Sequence, residues 1–291
     1  MKIQTLYLLL IGAMIFSCGD DDDDDSDPLE GVEYEMLISS RSNNSVVRFN
    51  GETGELIGDF VTPGSGGLGR TQEVLIGMDG QLIVSGRSNN AIKRYDIETG
   101  EFLGDFTSGF TLDEPVKMSF GPDNDLYVSQ WGQSSSSVVR FSGTSGQFVE
   151  EVTPDLDRPM GQFFHNDLLH VVSFGTRDVR SYSEGEQVEV VVNSSRLGGP
   201  VNLWFEDDSW FVEDWQDGTI KQFSSEGAFQ GVFLSGLTNI EGSAIGPDGA
   251  LYVCDWGRSL VRKHNAETGE FIEVFARGSI SNPNSILFRR R

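Results

Sequence analysis

Six short apolar runs in this sequence each lead into a residue that could contact a ligand. Arg41 follows "MLISS", Arg87 follows "LIVSG", Trp131 follows "LYVSQ", Phe174 follows "LHVVS", Trp215 follows "WFVED" and Trp256 follows "LYVCD". Aromatic faces take sugar rings and other flat or amphipathic molecules, and neighbouring polar groups fix their orientation. Asp214 and Asp255 directly precede two of the tryptophans and could supply such groups. An Asp at a strand end also caps turns, and indoles also simply pack between sheets. Arg41 and Arg87 open two "RSNN" turns. Turn formation accounts for that motif, and two guanidiniums on one face would also suit an anionic ligand.

A second set of polar residues lies near the starts of other apolar stretches: Glu73, Lys117, Gln162, Asn202, Glu241 and Asn284. Carboxylate and amide oxygens of this kind suit a hard cation, Ca²⁺ or Mg²⁺, with Glu241, Asn202 and Asn284 as the candidate ligands. Lys117 in the same set would repel such a cation or stand in for it. Other chemistries find little support. His165 falls in a predicted turn, His170 in a strand, and His264 where related segments have Phe or Tyr, so they form no zinc pattern. The serine run 134–137 has no base nearby in sequence, and "GSGGLG" (64–69) precedes no helix. Cys254 sits in an apolar run and reads as a small buried hydrophobe.

The elements that position these residues repeat. Residues 41–60 and 87–106 are identical at twelve of twenty positions, offset by 46. The runs above recur six times. Each is followed by a polar turn and a second strand ("SVVRF", "AIKRY", "SVVRF", "DVRSY", "TIKQF", "LVRKH"), then a Gly turn and a third. Only five of the six have an apolar stretch before them, and the sixth stretch, "NPNSILF", lies at residues 282–288. A unit divided between the two ends is what closing a ring of sheets requires, because no edge then stays open. The expected fold is all-β: a six-bladed β-propeller of four-stranded antiparallel blades over residues 34–291, closed by pairing the C-terminal strand with the N-terminal blade. The first strand of each blade would line the channel, and its start would share a face with the end of the second.

Segments such as "IEGSAIGPDGALYVCDWGRSLVRKHNAETGEFIEVF" (240–275) resemble NHL repeats and the repeats of gluconolactonase-like propellers and virginiamycin B lyase. The gluconolactonase resemblance implies a divalent cation in the channel and lactone hydrolysis, with Glu241, Asn202 and Asn284 in the ligand positions. The sequence departs from that family where its early Glu-Gly-Pro motif would stand, having "YEMLISS" instead. The lyase resemblance implies a functional His, which the three histidines here do not match.

At the N-terminus, Lys2 precedes an apolar run from Leu6 to Phe16, too short to cross a bilayer as a helix, so residues 1–17 read as an export signal. Ile15-Phe16-Ser17-Cys18 resembles a bacterial lipobox, which implies cleavage before Cys18 and its lipidation. Residues 18–33 contain Asp20 to Asp25 and read as an extended acidic tether; the acidic run after the Cys resembles the surface-export signals of Bacteroidetes lipoproteins. The net charge is −24, and the chain after residue 35 still holds 35 acids against 20 bases. That balance excludes a nucleic-acid phosphate backbone as partner. The expectation is therefore a monomer at the bacterial outer membrane or cell surface, touching the membrane only through its lipid. It binds a small molecule, a glycan or an envelope protein without catalysis; the alternative is a Ca²⁺- or Mg²⁺-dependent lactonase-like hydrolase.

Overall fold

The structure, a computed structural model, describes residues 31–133, 136–153 and 156–291. The export signal, Cys18 and the Asp run lie outside the described residues. Among the described residues the strands form six four-stranded antiparallel sheets, each in simple up-and-down order. The fold is a six-bladed β-propeller.

Blade 1 combines both ends of this region. Its inner strand is Pro283–Arg290 and its second strand is Tyr34–Ser40. Met36 stands opposite Phe288, Leu37 opposite Leu287 and Ile38 opposite Ile286. A buried ion pair fastens the junction, with Arg289 Nη2 2.6 Å from the Glu35 carboxylate. Arg289 also donates to the Ile97 carbonyl in blade 2. Strand pairing runs from Tyr34, opposite Arg290, and the Glu33 carbonyl just before it accepts a backbone hydrogen bond from Arg291 at 3.0 Å.

In blades 2 to 6 the inner strands are Thr71–Ile76, Pro115–Phe120, Pro159–His165, Pro200–Glu206 and Ile240–Ile245. Their second strands are Leu82–Gly86, Leu126–Gln130, Leu168–Ser173, Ser209–Asp214 and Leu251–Asp255. Side chains from neighbouring blades interleave to form the core. Met36, Ile38, Val47 and Phe49 of blade 1, for example, pack on Tyr252, Cys254 and Val261 of blade 6. Each such side chain contributes about 1.5–3 kcal/mol on burial.

The repeated turn motifs have local causes. In the "RSNN" turns, Asn44 and Asn90 take left-handed backbone (φ 56° and 53°), a region Asn tolerates. In the "ETG" turns, Asn50 and Asp96 accept hydrogen bonds from backbone groups two and three residues on. Gly54 and Gly100 complete those turns at positive φ. A Cβ at either would lie about 2 Å from a carbonyl of an outer strand, that of Phe275 or Phe60. Only glycine fits both the conformation and the contact.

Candidate functional site

One register is common to all six blades. The first residue of each inner strand pairs with the last residue of the second strand: Pro283 with Ser40, Thr71 with Gly86, Pro115 with Gln130, Pro159 with Ser173, Pro200 with Asp214 and Ile240 with Asp255. In every case a bulge follows directly on the inner strand. Bulges re-aim side chains, and here they turn successive residues toward the channel. The residue after each second strand, one of Arg41, Arg87, Trp131, Phe174, Trp215 and Trp256, then latches to the incoming loop. Each donates its backbone N–H to the residue before the inner strand: Asn282, Arg70, Glu114, Arg158, Gly199 or Asn239, at 2.9–3.3 Å. Five of those acceptor residues have positive φ, including Arg70, Glu114 and Arg158, whose side chains gain nothing from that conformation. The loops are held in it by the latch.

The six latched side chains surround one end of the channel and line a single cavity of about 210 Å³, together with Met160, Val201 and Glu241. Trp215 and Trp256 meet edge to face with centroids 5.6 Å apart, and Trp131 lies 4.9 Å from Phe174. Arg87 stacks over Trp131 at 4.8 Å, while its Nε and Nη2 hold Glu114 at 3.1 and 2.7 Å. Arg41 lies 5.9 Å from the Trp256 ring. Arg158 reaches over Trp131 and Phe174 from outside.

Asp214 and Asp255 do not line this cavity. Both are fully buried beneath the rim, where they fasten the incoming loops. Asp214 accepts from the Gly198 and Gly199 amides at 2.6 and 2.9 Å and from Lys221 Nζ at 2.8 Å. Asp255 accepts from the Thr238 amide at 3.0 Å and from Arg258 at 2.8 Å. Gln130 and Ser40 accept equivalent loop amides in their blades. In blade 2, Gly86 leaves that place to Asn89, which accepts from Gly69 N at 2.9 Å. The two carboxylates therefore hold the loops that carry the rim.

The inner polar residues do not form one ring. Counting from the common pairing, the first layer is Gln72, Val116, Met160, Val201, Glu241 and Asn284. The next is Glu73, Lys117, Gly161, Asn202, Gly242 and Ser285, and Gln162 lies a further step down. In the second layer Lys117 Nζ sits 3.0 Å from Glu73 and donates to the Asn284 carbonyl at 2.7 Å. Ser285 donates to the other Glu73 oxygen. Asn202 donates weakly to Glu213 at 3.4 Å, and Ser243 donates to the same carboxylate at 2.5 Å. Gln162 is tied to Ser129 and the Tyr127 carbonyl.

Burial alone would push the Lys117 ammonium down, but Glu73, Glu241 and Glu213 outweigh it and hold the group above its usual range. Burial raises Glu213 despite Lys117, Ser243 and Asn202. It lifts Glu241 to about 7 against the pull of Lys117, Arg41 and Arg87. Glu241 Oε1 also accepts from the buried Gln72 amide at 2.8 Å, whose oxygen takes Arg41 Nε at 3.1 Å once the amide is oriented by these neighbours.

This donor set does not fit the divalent cation that the gluconolactonase resemblance implies. Asn202 stands a layer below Glu241 and Asn284 and turns its nitrogen to Glu213. Lys117 supplies positive charge among the same carboxylates. Among the described residues no three or more His, Cys, Asp or Glu side chains form a metal-holding group. The histidines also lie apart from the mouth. His165 ends an inner strand, where a turn had been expected, and its ring lies 3.8 Å from Phe205. His170 packs on Trp210 at 4.4 Å, and His264 Nδ1 meets the Gly269 carbonyl at 3.0 Å.

Sequence reasoning missed Glu213, Gln72, Met160 and Val201. Glu213 carried a signal, being an acid inside the apolar run "WFVED", where other blades have Ser39, Ser85, Ser129, Val172 or Cys254.

No protein-family model matches the chain, and no curated protein matches it in sequence. Solved structures do match. A protein of unknown function from Bacteroides caccae is 17% identical with a TM-score of 0.68, covering 89% of this chain and 100% of that one. A chain from a nidogen/laminin complex is 13% identical with a TM-score of 0.71, covering 88% and 98%. The likeness is one of fold. At these identities it carries the propeller and no activity.

Proposed function

We propose that this chain is a lipid-anchored envelope or cell-surface propeller that binds a ring-bearing small molecule or glycan at the mouth of its channel, without catalysis. The observation that carries the reading is the convergence of Trp131, Phe174, Trp215, Trp256, Arg41 and Arg87 on one cavity floored by Glu241. Four aromatic side chains supply faces and edges for a ring, and the polar groups supply orientation. The lipobox-like Ile15-Phe16-Ser17-Cys18 and the acidic run after it support the anchoring. A metal-dependent lactonase would need the oxygen set that Asn202 and Lys117 break up. A protein partner is the other binding reading, and one propeller of this fold comes from a nidogen/laminin complex.

Intrinsic tryptophan fluorescence titrated with a panel of neutral and acidic mono- and oligosaccharides tests the site. A saturable shift, lost in Trp215→Ala, is the expected result; no shift across the panel removes the reading. Anchoring is tested separately by Cys18→Ser, which should move the protein from the membrane fraction to the soluble fraction.

A further inference from the structure

The first layer of the channel, seen together with the rim above it, is divided. On blades 3, 4 and 5 it consists of Val116, Met160 and Val201, packed in one cluster with Trp131, Phe174 and Trp215. On blades 6, 1 and 2 it consists of Glu241, Asn284 and Gln72, beneath Trp256, Arg41 and Arg87. One half of the mouth is thus apolar, and the other half is polar with two guanidiniums.

From this division we infer that the ligand is a ring carrying one carboxylate, of the hexuronate class. Its ring face lies on the Trp131–Phe174–Trp215 side, and its carboxylate meets Arg41 and Arg87. The inference rests on the mouth being a ligand site at all. Arg41 carries it furthest. Among the described residues no carboxylate lies within ion-pair distance of its guanidinium, although Arg87, Lys117 and Arg289 all have one. Its Nε is held by Gln72, so the outer edge of the fork is aimed and unclaimed. Arg87 is oriented by Glu114 through Nε and Nη2. A chain with a net charge of −24 thus brings two arginines to a cavity walled by four aromatic side chains.

Glu241 on the cavity floor sets the pH dependence. Facing it are Arg41 and Arg87 from the rim, Glu73 and Gln72 from blade 2 and Lys117 from blade 3. An anion entering beside Glu241 is favoured when that carboxyl holds its proton. Its pKa of about 7 puts the change in the neutral range. Affinity for a carboxylate should therefore level off below pH 7 and fall toward about tenfold per pH unit above it.

The experiment is titration of the intact protein with methyl glucuronide and with methyl glucoside, its neutral counterpart, between pH 6 and 8.5. Expected are at least tenfold tighter binding of the uronide at pH 6.5, loss of that preference in Arg41→Gln, and loss of the pH dependence of uronide binding in Glu241→Gln. Thermal melting of both variants establishes that they are folded. Equal affinity for the two sugars overturns the carboxylate inference and leaves the ring site standing. Binding of neither sugar, with another ring compound still shifting the fluorescence, overturns the sugar-acid assignment alone. No response to any ring compound overturns both readings.

Discussion

Lys117 and Glu73 lie on neighbouring inner strands, 3.0 Å apart in the second layer of the channel, and the same ammonium reaches across to the Asn284 carbonyl of blade 1. One cation thereby joins blades 1, 2 and 3 at the axis. It also neutralises part of a buried field to which Glu73, Glu213 and Glu241 all contribute.

Replacing it should be costly. Lys117→Met leaves carboxylates buried without their partner, and the cost of that is about 3–5 kcal/mol. Chemical denaturation should show a loss of this size at pH 8. Lys117→Met/Glu73→Gln should recover part of it, because the stranded charge is removed with its partner. Equal stability of the single variant and the parent would mean that the carboxylates are not charged in the fold.

Stability should also depend on pH through Glu241. Its folded pKa of about 7 stands above its ordinary value of 4.5, so the folded state binds this proton more tightly than the unfolded chain. The contribution is fully present below pH 4.5 and is lost as pH rises to 7, about 3 kcal/mol in all. Glu213 is raised as well and acts in the same direction. The measurement is the difference in unfolding free energy between the parent and Glu241→Gln at pH 5 and pH 8. The Gln variant should gain relative stability at pH 8, and a difference independent of pH would contradict the raised value.

Asp214→Ala should cost about 3 kcal/mol, since it strands the half-buried Gly198 and buried Gly199 amides and removes one carboxylate from Lys221. Thermal melting reads this directly. An Asp that served only a ligand would give a variant as stable as the parent.

The rim residues were legible in the sequence because each follows an apolar run that the repeat sets in register. Closure was legible because "NPNSILF" stands alone at the end. The depth of the channel residues was less so. A bulge in every inner strand adds a step that period-two counting does not see, and it places Glu241 beside Gln72 and Asn284 while Asn202 joins Lys117 and Glu73. The roles of Asp214 and Asp255 were hidden for another reason. A carboxylate before a tryptophan looks the same in sequence whether it faces a cavity or the amides of a loop.

Tyr34 pairs with Arg290 at the end of blade 1 farthest from Arg41. The described chain therefore enters and leaves at the base of the disc, on the side away from the tryptophans. A tag or reporter fused after Arg291 would sit on that same underside and leave the opening clear.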